Sequence, residues 1–132
     1  MGTDARGIAP DTCSYYGEPA GFLASISLSY LGDMQLELIE PARGQNTYSD
    51  FLRDRGPGLH HICVEADSPE NFVAALAAAT KQGATVVQQG VMPGGMHFAC
   101  VSVPQAGVPF VEIAYITPEI RAFFDYIKQE QR

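Results

Sequence analysis

The chain has 132 residues, of which 46% are apolar and 17% charged, and its formal net charge is −7. This length and composition are typical of one globular domain and exclude a disordered chain. The negative charge argues against a nucleic-acid partner, because few cations are present to neutralise phosphates. The sequence shows no apolar run of signal-peptide or transmembrane character, so we expect a cytoplasmic protein that does not bind membranes.

The first third of the chain predicts a β-hairpin preceded by irregular structure. Residues 1–20 show no periodicity, which indicates a tail or loop. Two runs of alternating polar and apolar residues follow between positions 21 and 40. Gly32-Asp33 separates them, which is typical of a hairpin turn, and we expect Pro41 to end the second strand. A short helix with Thr47 as its N-cap and with Phe51 and Leu52 facing inward completes residues 21–57.

Residues 58–116 predict the order strand, helix, strand, strand, strand. Asp67 or Ser68 is expected to cap the helix, with Pro69 in its first turn, and its inner face comprises Phe72, Val73 and Leu76. Residues 117–132 predict a last helix with an apolar stripe formed by Ile120, Phe123, Phe124 and Ile127. The early hairpin is similar to the last two strands of this unit, because each pair ends in an apolar-Glu-apolar strand followed by proline. This internal similarity indicates a duplicated module.

Three segments carry a resemblance to a known family: GLHHICVEAD, MQLELIEP and VPFVEIAY. Together they resemble the vicinal oxygen chelate superfamily, which includes glyoxalases, bleomycin resistance proteins and methylmalonyl-CoA epimerases. The resemblance implies an α+β fold in which βαβββ modules curl around one cavity. We therefore expect residues 1–132 to form a single glyoxalase-like domain, with a partial N-terminal module at 21–57 and a complete module at 58–116 in a curved mixed sheet.

The resemblance also implies a metal site formed by Glu37, His61 and Glu112. Imidazole and carboxylate are the ligands that Zn, Ni, Co, Mn or Fe ions take in proteins, and three such ligands leave room for substrate oxygens. Each glutamate lies within an alternating strand and so faces away from its apolar neighbours. A carboxylate on the inside of a closed cavity needs a partner, and a cation is a suitable one.

The family takes a fourth ligand from the first strand of its first module, and no histidine precedes His60 in this sequence. We therefore expect that strand and its helix to be missing, which leaves an unpaired edge and favours a homodimer. His97 is a minor candidate for the fourth position. His60 is expected to point to the opposite face from His61, and Glu65 to lie at the solvated end of its strand.

Three cysteines without CxxC spacing, Cys13, Cys63 and Cys100, predict free or buried thiols in a reducing compartment. Cys63 and Cys100 are expected to be small core residues rather than nucleophiles.

The function that the resemblance implies is a metal-dependent lyase or isomerase acting on a small α-oxygenated carbonyl compound. The metal would stabilise an enolate while Glu112 or Glu37 moves the proton. One alternative is a resistance-type protein that binds a small molecule without a metal, and another is a ring-cleaving dioxygenase with a two-His-one-carboxylate iron site.

Acyl-CoA epimerase activity is not expected. The strand before Glu37 offers only Ser25, Ser27 and Ser29 as polar groups, and serine is no base without an activating partner. A two-residue hairpin loop would pair Leu28 with Glu37, whereas a three-residue loop would pair Ser27 with it, and the sequence leaves this register open.

Overall fold

The computed structural model describes residues 3–8, 13–21 and 23–131. In this part of the chain three α-helices and nine strands follow one another, several of the strands very short. In chain order the elements are β1 (Thr3–Ile8), β2 (Ser14–Tyr15), β3 (Glu18–Pro19), β4 (Leu23–Leu31), β5 (Met34–Arg43), α1 (Thr47–Arg55), β6 (His61–Ala66), α2 (Pro69–Lys81), β7 (Thr85–Met92), β8 (Met96–Ser102), β9 (Phe110–Tyr115) and α3 (Pro118–Glu130).

The second half of the chain forms the predicted βαβββ module. The strands lie in the order β7-β8-β9-β6, with β6 parallel to β9 and the other neighbours antiparallel. Helix α2 makes the crossover that a parallel pair requires and packs Phe72 against Ala99 and Ile113. The buried apolar surface between this helix and one side of the sheet is the core of the module. The predicted α+β fold with a complete βαβββ module is confirmed.

The first half of the chain forms a separate three-stranded antiparallel sheet in the order β1-β4-β5. Gly32 and Asp33 make a two-residue turn, and Gly32 has a φ of 65°, a left-handed conformation that glycine adopts without strain. The turn pairs Leu28 with Glu37, which decides the register that the sequence left open. Glu37 therefore shares its face with Leu28, and the serines of β4 lie on the other face.

The prediction that Pro41 ends strand β5 is wrong, because the strand continues to Arg43. It is an edge strand, so a proline that cannot donate a ladder hydrogen bond is tolerated there. The register also shifts between Leu23 and Ala24, where Leu23 pairs with Arg43 and Ala24 with Pro41.

The prediction of a tail or loop over residues 1–20 is wrong where the structure describes these residues. Strand β1 pairs with β4 over its full length, and the β2-β3 hairpin extends the six-stranded sheet at the edge of β7. Edge strands of this kind are held by backbone hydrogen bonds, and their sequences lack the alternation of polar and apolar residues that predicts the longer strands. Residues 1–2 and 9–12 lie outside the described residues.

Gly90 on β7 makes room for Cys13, which precedes the β2-β3 hairpin. A Cβ at position 90 would lie 2.3 Å from Cys13 Sγ and 2.9 Å from Cys13 Cα. We expect Gly90→Ala to lower the free energy of unfolding by roughly 1–3 kcal/mol, because it overpacks this contact. Urea denaturation tests this, with Gly21→Ala as the control, since a Cβ at Gly21 meets nothing within 4 Å. Equal stability of the two variants would contradict the expectation.

The N-termini of the helices agree with the predictions except at α1. Its N-cap is Asn46 rather than Thr47, and Asn46 forms a capping box with Ser49. Ser68 caps α2, and Thr117 caps α3.

Three of the side chains predicted to face inward are instead exposed, namely Leu52, Val73 and Phe123. Each of the three is next to a less exposed residue of the same helix, namely Phe51, Phe72 and Phe124. The buried face of each helix is therefore narrower than its sequence indicates. Among the helices described, none is both long enough and apolar enough to cross a membrane.

Candidate metal centre

The sheet of the second module places a row of polar side chains on the face opposite α2. Ala99 and Ile113 point toward the helix, so Cys100 and Glu112, their chain neighbours, point the other way. The strand registers pair Glu112 with Cys100 on one side and with Cys63 on the other. His61 lies two residues before Cys63 and therefore shares this face.

Glu37 reaches the same point from the other sheet. Its Oε1 atom lies 3.3 Å from His61 Nε2, and Oε1 of Glu112 also lies 3.3 Å from that nitrogen. The three donor atoms lie within 4.8 Å of one another, although the residues are far apart in the sequence. The two modules thus meet at one imidazole between two carboxylates.

The cluster is sheltered but reachable from one side. The exposed fraction of the side chain is 9% for His61 and 13% for Glu112, but 30% for Glu37. A small molecule or an ion can therefore approach the cluster from the side of Glu37.

The two carboxylates control the protonation of His61. Burial alone would lower the pKa of His61, but hydrogen bonds and charge attraction from Glu112 and Glu37 outweigh burial and raise it to about 9. Without another cation, His61 is therefore an imidazolium ion at neutral pH, and it balances part of the charge of the two glutamates.

The residues fit a divalent transition metal ion. Donors bound at about 2.0–2.2 Å in a tetrahedral site lie about 3–3.5 Å apart. The two distances from His61 Nε2, both 3.3 Å, fall in this range. A divalent cation in place of the His61 proton would also compensate both carboxylates, which a single imidazolium charge does only in part.

The prediction that His60 points to the opposite face from His61 is wrong. The two rings lie side by side. The two Nδ1 atoms are 2.8 Å apart, and His60 Nε2 lies 3.1 Å from Thr47 Oγ1. Strand β6 begins only at His61, so strand alternation does not apply to the residue before it. Burial, and then the neighbouring His61, lower the pKa of His60 to about 4, so it is neutral at pH 7.

The other candidates lie away from the cluster. His97 packs between Phe72 and Tyr115 on the α2 side of the sheet, so it does not supply a fourth donor. Glu65 is exposed and forms an ion pair with Arg121, in agreement with its expected place at the solvated end of β6.

All three cysteines are free, and they differ in exposure. Cys100 is a buried core residue, as predicted, and burial raises its pKa well above the ordinary value, so the thiol stays protonated. Cys63 is exposed, contrary to the prediction of a core residue.

The sequence analysis missed Tyr48 and Gln88. Burial, and then the nearby Cys100, Glu112 and Glu37, raise the pKa of Tyr48 well above its ordinary value, which places a neutral hydroxyl close to the cluster. Gln88 is buried and accepts a hydrogen bond from the backbone N–H of Thr47, which ties α1 to β7. Residue type gave no signal for either, because a tyrosine in a helix and a glutamine in a strand are ordinary surface residues.

A βαβββ module that faces a second antiparallel sheet across a cluster of carboxylate and imidazole groups is consistent with the vicinal-oxygen-chelate fold. The sequence matches the family model described as Glyoxalase/Bleomycin resistance protein/Dioxygenase superfamily over residues 4–100. The chain therefore belongs to this superfamily. No curated protein matches the sequence significantly. The matched region includes Glu37 and His61 but ends before Glu112, so the place of Glu112 in the cluster depends on the geometry alone.

Proposed function

We propose that the protein is a metal-dependent lyase or isomerase that acts on a small α-oxygenated carbonyl compound. The observation that carries this proposal is the convergence of Glu37 and Glu112 on His61 Nε2, at 3.3 Å each. A pocket that only binds an apolar molecule has no need of three metal-ligand side chains at one point. When bound, a divalent ion supplies Lewis-acid polarisation of two adjacent substrate oxygens and stabilises an enolate.

The chain supplies the base. A carboxylate of Glu112 or Glu37 takes the proton from the carbon next to the carbonyl group, and the electron pair of the C–H bond moves toward the carbonyl oxygen. Return of this proton to the former carbonyl carbon, together with movement of the hydroxyl proton to the former carbonyl oxygen, isomerises the substrate. Burial, Cys100 and the two glutamates raise the pKa of Tyr48, so its hydroxyl keeps its proton and adds no negative charge near the cluster.

The register of β4 bears on the substrate class. Leu28 lies opposite Glu37, so the face that Glu37 shares with β4 carries Ile26 and Leu28, and no acidic residue of β4 faces the cluster. Ser25, Ser27 and Ser29 lie on the other face. This arrangement does not support epimerase chemistry that needs a second acid on that strand, and it favours a scheme in which Glu112 or Glu37 is sufficient.

A second candidate function is metal-free binding of a small molecule, as in resistance-type members of the superfamily. One observation favours it: His61 Nε2 lies 3.3 Å from a carboxylate oxygen of each glutamate, so an imidazolium ion can pair with both carboxylates without a metal ion. A ring-cleaving dioxygenase is less well supported. It needs two histidines and one carboxylate, and both His60 and His97 are directed to other partners.

Exchange of substrate protons with solvent separates the first two functions. In deuterium oxide, the metal-loaded protein should catalyse exchange of the C–H hydrogen on the hydroxyl-bearing carbon of a small α-hydroxyketone, measured by proton NMR. Glu112→Gln and Glu37→Gln should slow the exchange by about 100-fold or more, in the range of general-base effects. Glu40→Gln, on the opposite face of β5, is the matched control. Tight ligand binding by metal-free protein with no exchange would support the binding protein instead.

A cytoplasmic location and a homodimer remain parts of the proposal. Leu36 and Leu38 on β5 and Ile62 and Val64 on β6 are exposed apolar side chains at the edges of the two sheets. Such surfaces support association with a second copy.

A further inference from the structure

We propose that His60 is a positioning residue that holds the ring of His61 so that Nε2 faces the two carboxylates. The proposal rests on the metal site put forward above, but it concerns a side chain outside the cluster. His60 donates nothing to the ion. It acts through His61, to which it supplies a hydrogen-bond acceptor at Nδ1.

A series of side-chain contacts leads from His61 through His60 to Thr47, away from the carboxylates. His61 Nδ1, the ring nitrogen that does not face the carboxylates, lies 2.8 Å from His60 Nδ1. On the other side of the His60 ring, Nε2 lies 3.1 Å from Thr47 Oγ1. Both ring nitrogens of each histidine therefore have a partner.

The direction of these hydrogen bonds follows from what His61 must do. A ligand nitrogen carries no proton, so His61 binds an ion through Nε2 only with its proton on Nδ1. That N–H donates to His60 Nδ1, which must be without a proton. His60 then carries its own proton on Nε2, and this N–H donates to Thr47 Oγ1.

Packing keeps His60 in place. Its ring contacts Tyr48 and Phe51 of α1 and Phe110 of β9, with ring centroids 4.9, 5.2 and 4.7 Å away. Thr47, which accepts the hydrogen bond from His60, is buried, and its backbone N–H donates to Gln88 Oε1. The first turn of α1 is thereby connected to the ring orientation of His61.

The metal affinities of two variants at position 60 distinguish a positioning role of His60 from a role in packing alone. Phenylalanine preserves the aromatic contacts and removes the acceptor, whereas asparagine can place an oxygen close to the position of Nδ1. We expect His60→Phe to weaken zinc or cobalt affinity by about 10–100-fold, the usual effect of losing a group that orients a metal-ligating histidine. His60→Asn should restore much of the affinity. His97→Phe, on the other side of the sheet, should leave it unchanged.

A second measurement needs no metal and no variant. In the uniformly nitrogen-15-labelled protein, a hydrogen bond between the two Nδ1 atoms gives a scalar coupling between them across the bond, and we expect this coupling at pH 7. Absence of the coupling, or equal metal affinity of His60→Phe and wild type, would overturn the role of His60. A coupling that is present in a protein that binds no zinc or cobalt would instead contradict the metal site and leave the positioning intact.

Discussion

Replacing Glu112 with glutamine should lower the affinity for a divalent transition metal ion by at least about 100-fold, the upper end of what loss of an orienting group costs. Glu112 is the less exposed of the two carboxylates, and its Oε1 lies 3.3 Å from His61 Nε2. The amide has nearly the same shape, so the substitution removes charge and ligand strength with little change in packing. Isothermal titration or competition with a coloured chelator measures the difference.

Glu37→Gln should behave in the same way, although Glu37 belongs to the other sheet. The control for both is Glu40→Gln, which makes the same chemical change on an exposed residue of β5 that pairs with Ser25, on the face away from the cluster. Wild-type affinity in the Glu112 variant, or an equal loss in all three variants, would contradict the assignment of the donors.

Metal affinity should rise about tenfold for each pH unit between roughly pH 6.5 and 9. His61 has a pKa of about 9 in the metal-free protein, so an ion that binds below this pH must displace one proton. The ion and the proton compete for the same nitrogen. Titrations in two buffers of different ionisation enthalpy would count the released proton, and an affinity that does not change with pH would contradict this competition.

The raised pKa of His61 also predicts how the free energy of unfolding of the metal-free protein depends on pH. The folded state raises the pKa of His61 from 6.5 to about 9, so this stabilisation is fully present below pH 6.5 and is lost as the pH rises toward 9. The loss is on the order of 3 kcal/mol, at about 1.4 kcal/mol per pKa unit.

The lowered pKa of His60 has the opposite effect on the pH dependence of stability. Its pKa is lowered to about 4, so its contribution is present above pH 6.5 and is lost as the pH falls toward 4. These two histidines together therefore favour greatest stability near pH 6.5. Urea denaturation from pH 5 to 9 tests this, and in His61→Gln the decline above pH 6.5 should disappear. Stability that increases from pH 6.5 to 9 in the metal-free wild type would contradict the His61 assignment.

Most of the second module could be predicted from the sequence because its elements are long and strongly patterned. The caps of α2 and α3, the glycine turns and the alternation of β6, β8 and β9 are local signals, and each has a direct physical reading. The faces of Glu37 and Glu112 followed from the same alternation. Convergence of the two on His61 was an expectation from family resemblance, and in the structure an Oε1 atom of each lies 3.3 Å from His61 Nε2.

The parts that the sequence did not predict depend on tertiary contacts. Strand β1 has no alternation and is held by pairing with β4. The position of His60 depends on where β6 begins and on the side chains of α1 that surround its ring. Tyr48 gains its place near the carboxylates because α1 docks through Thr47 and Gln88, two residues whose contact spans 41 positions. No local pattern reports such contacts.

X-ray absorption spectroscopy of the protein loaded with one equivalent of zinc tests the central claim most directly. The account predicts a first shell of one imidazole nitrogen and two carboxylate oxygens at about 2.0–2.2 Å, with the remaining positions filled by oxygen, and loss of the imidazole signal in His61→Ala. A first shell that contains sulfur, or an imidazole signal that survives in His61→Ala, would contradict it.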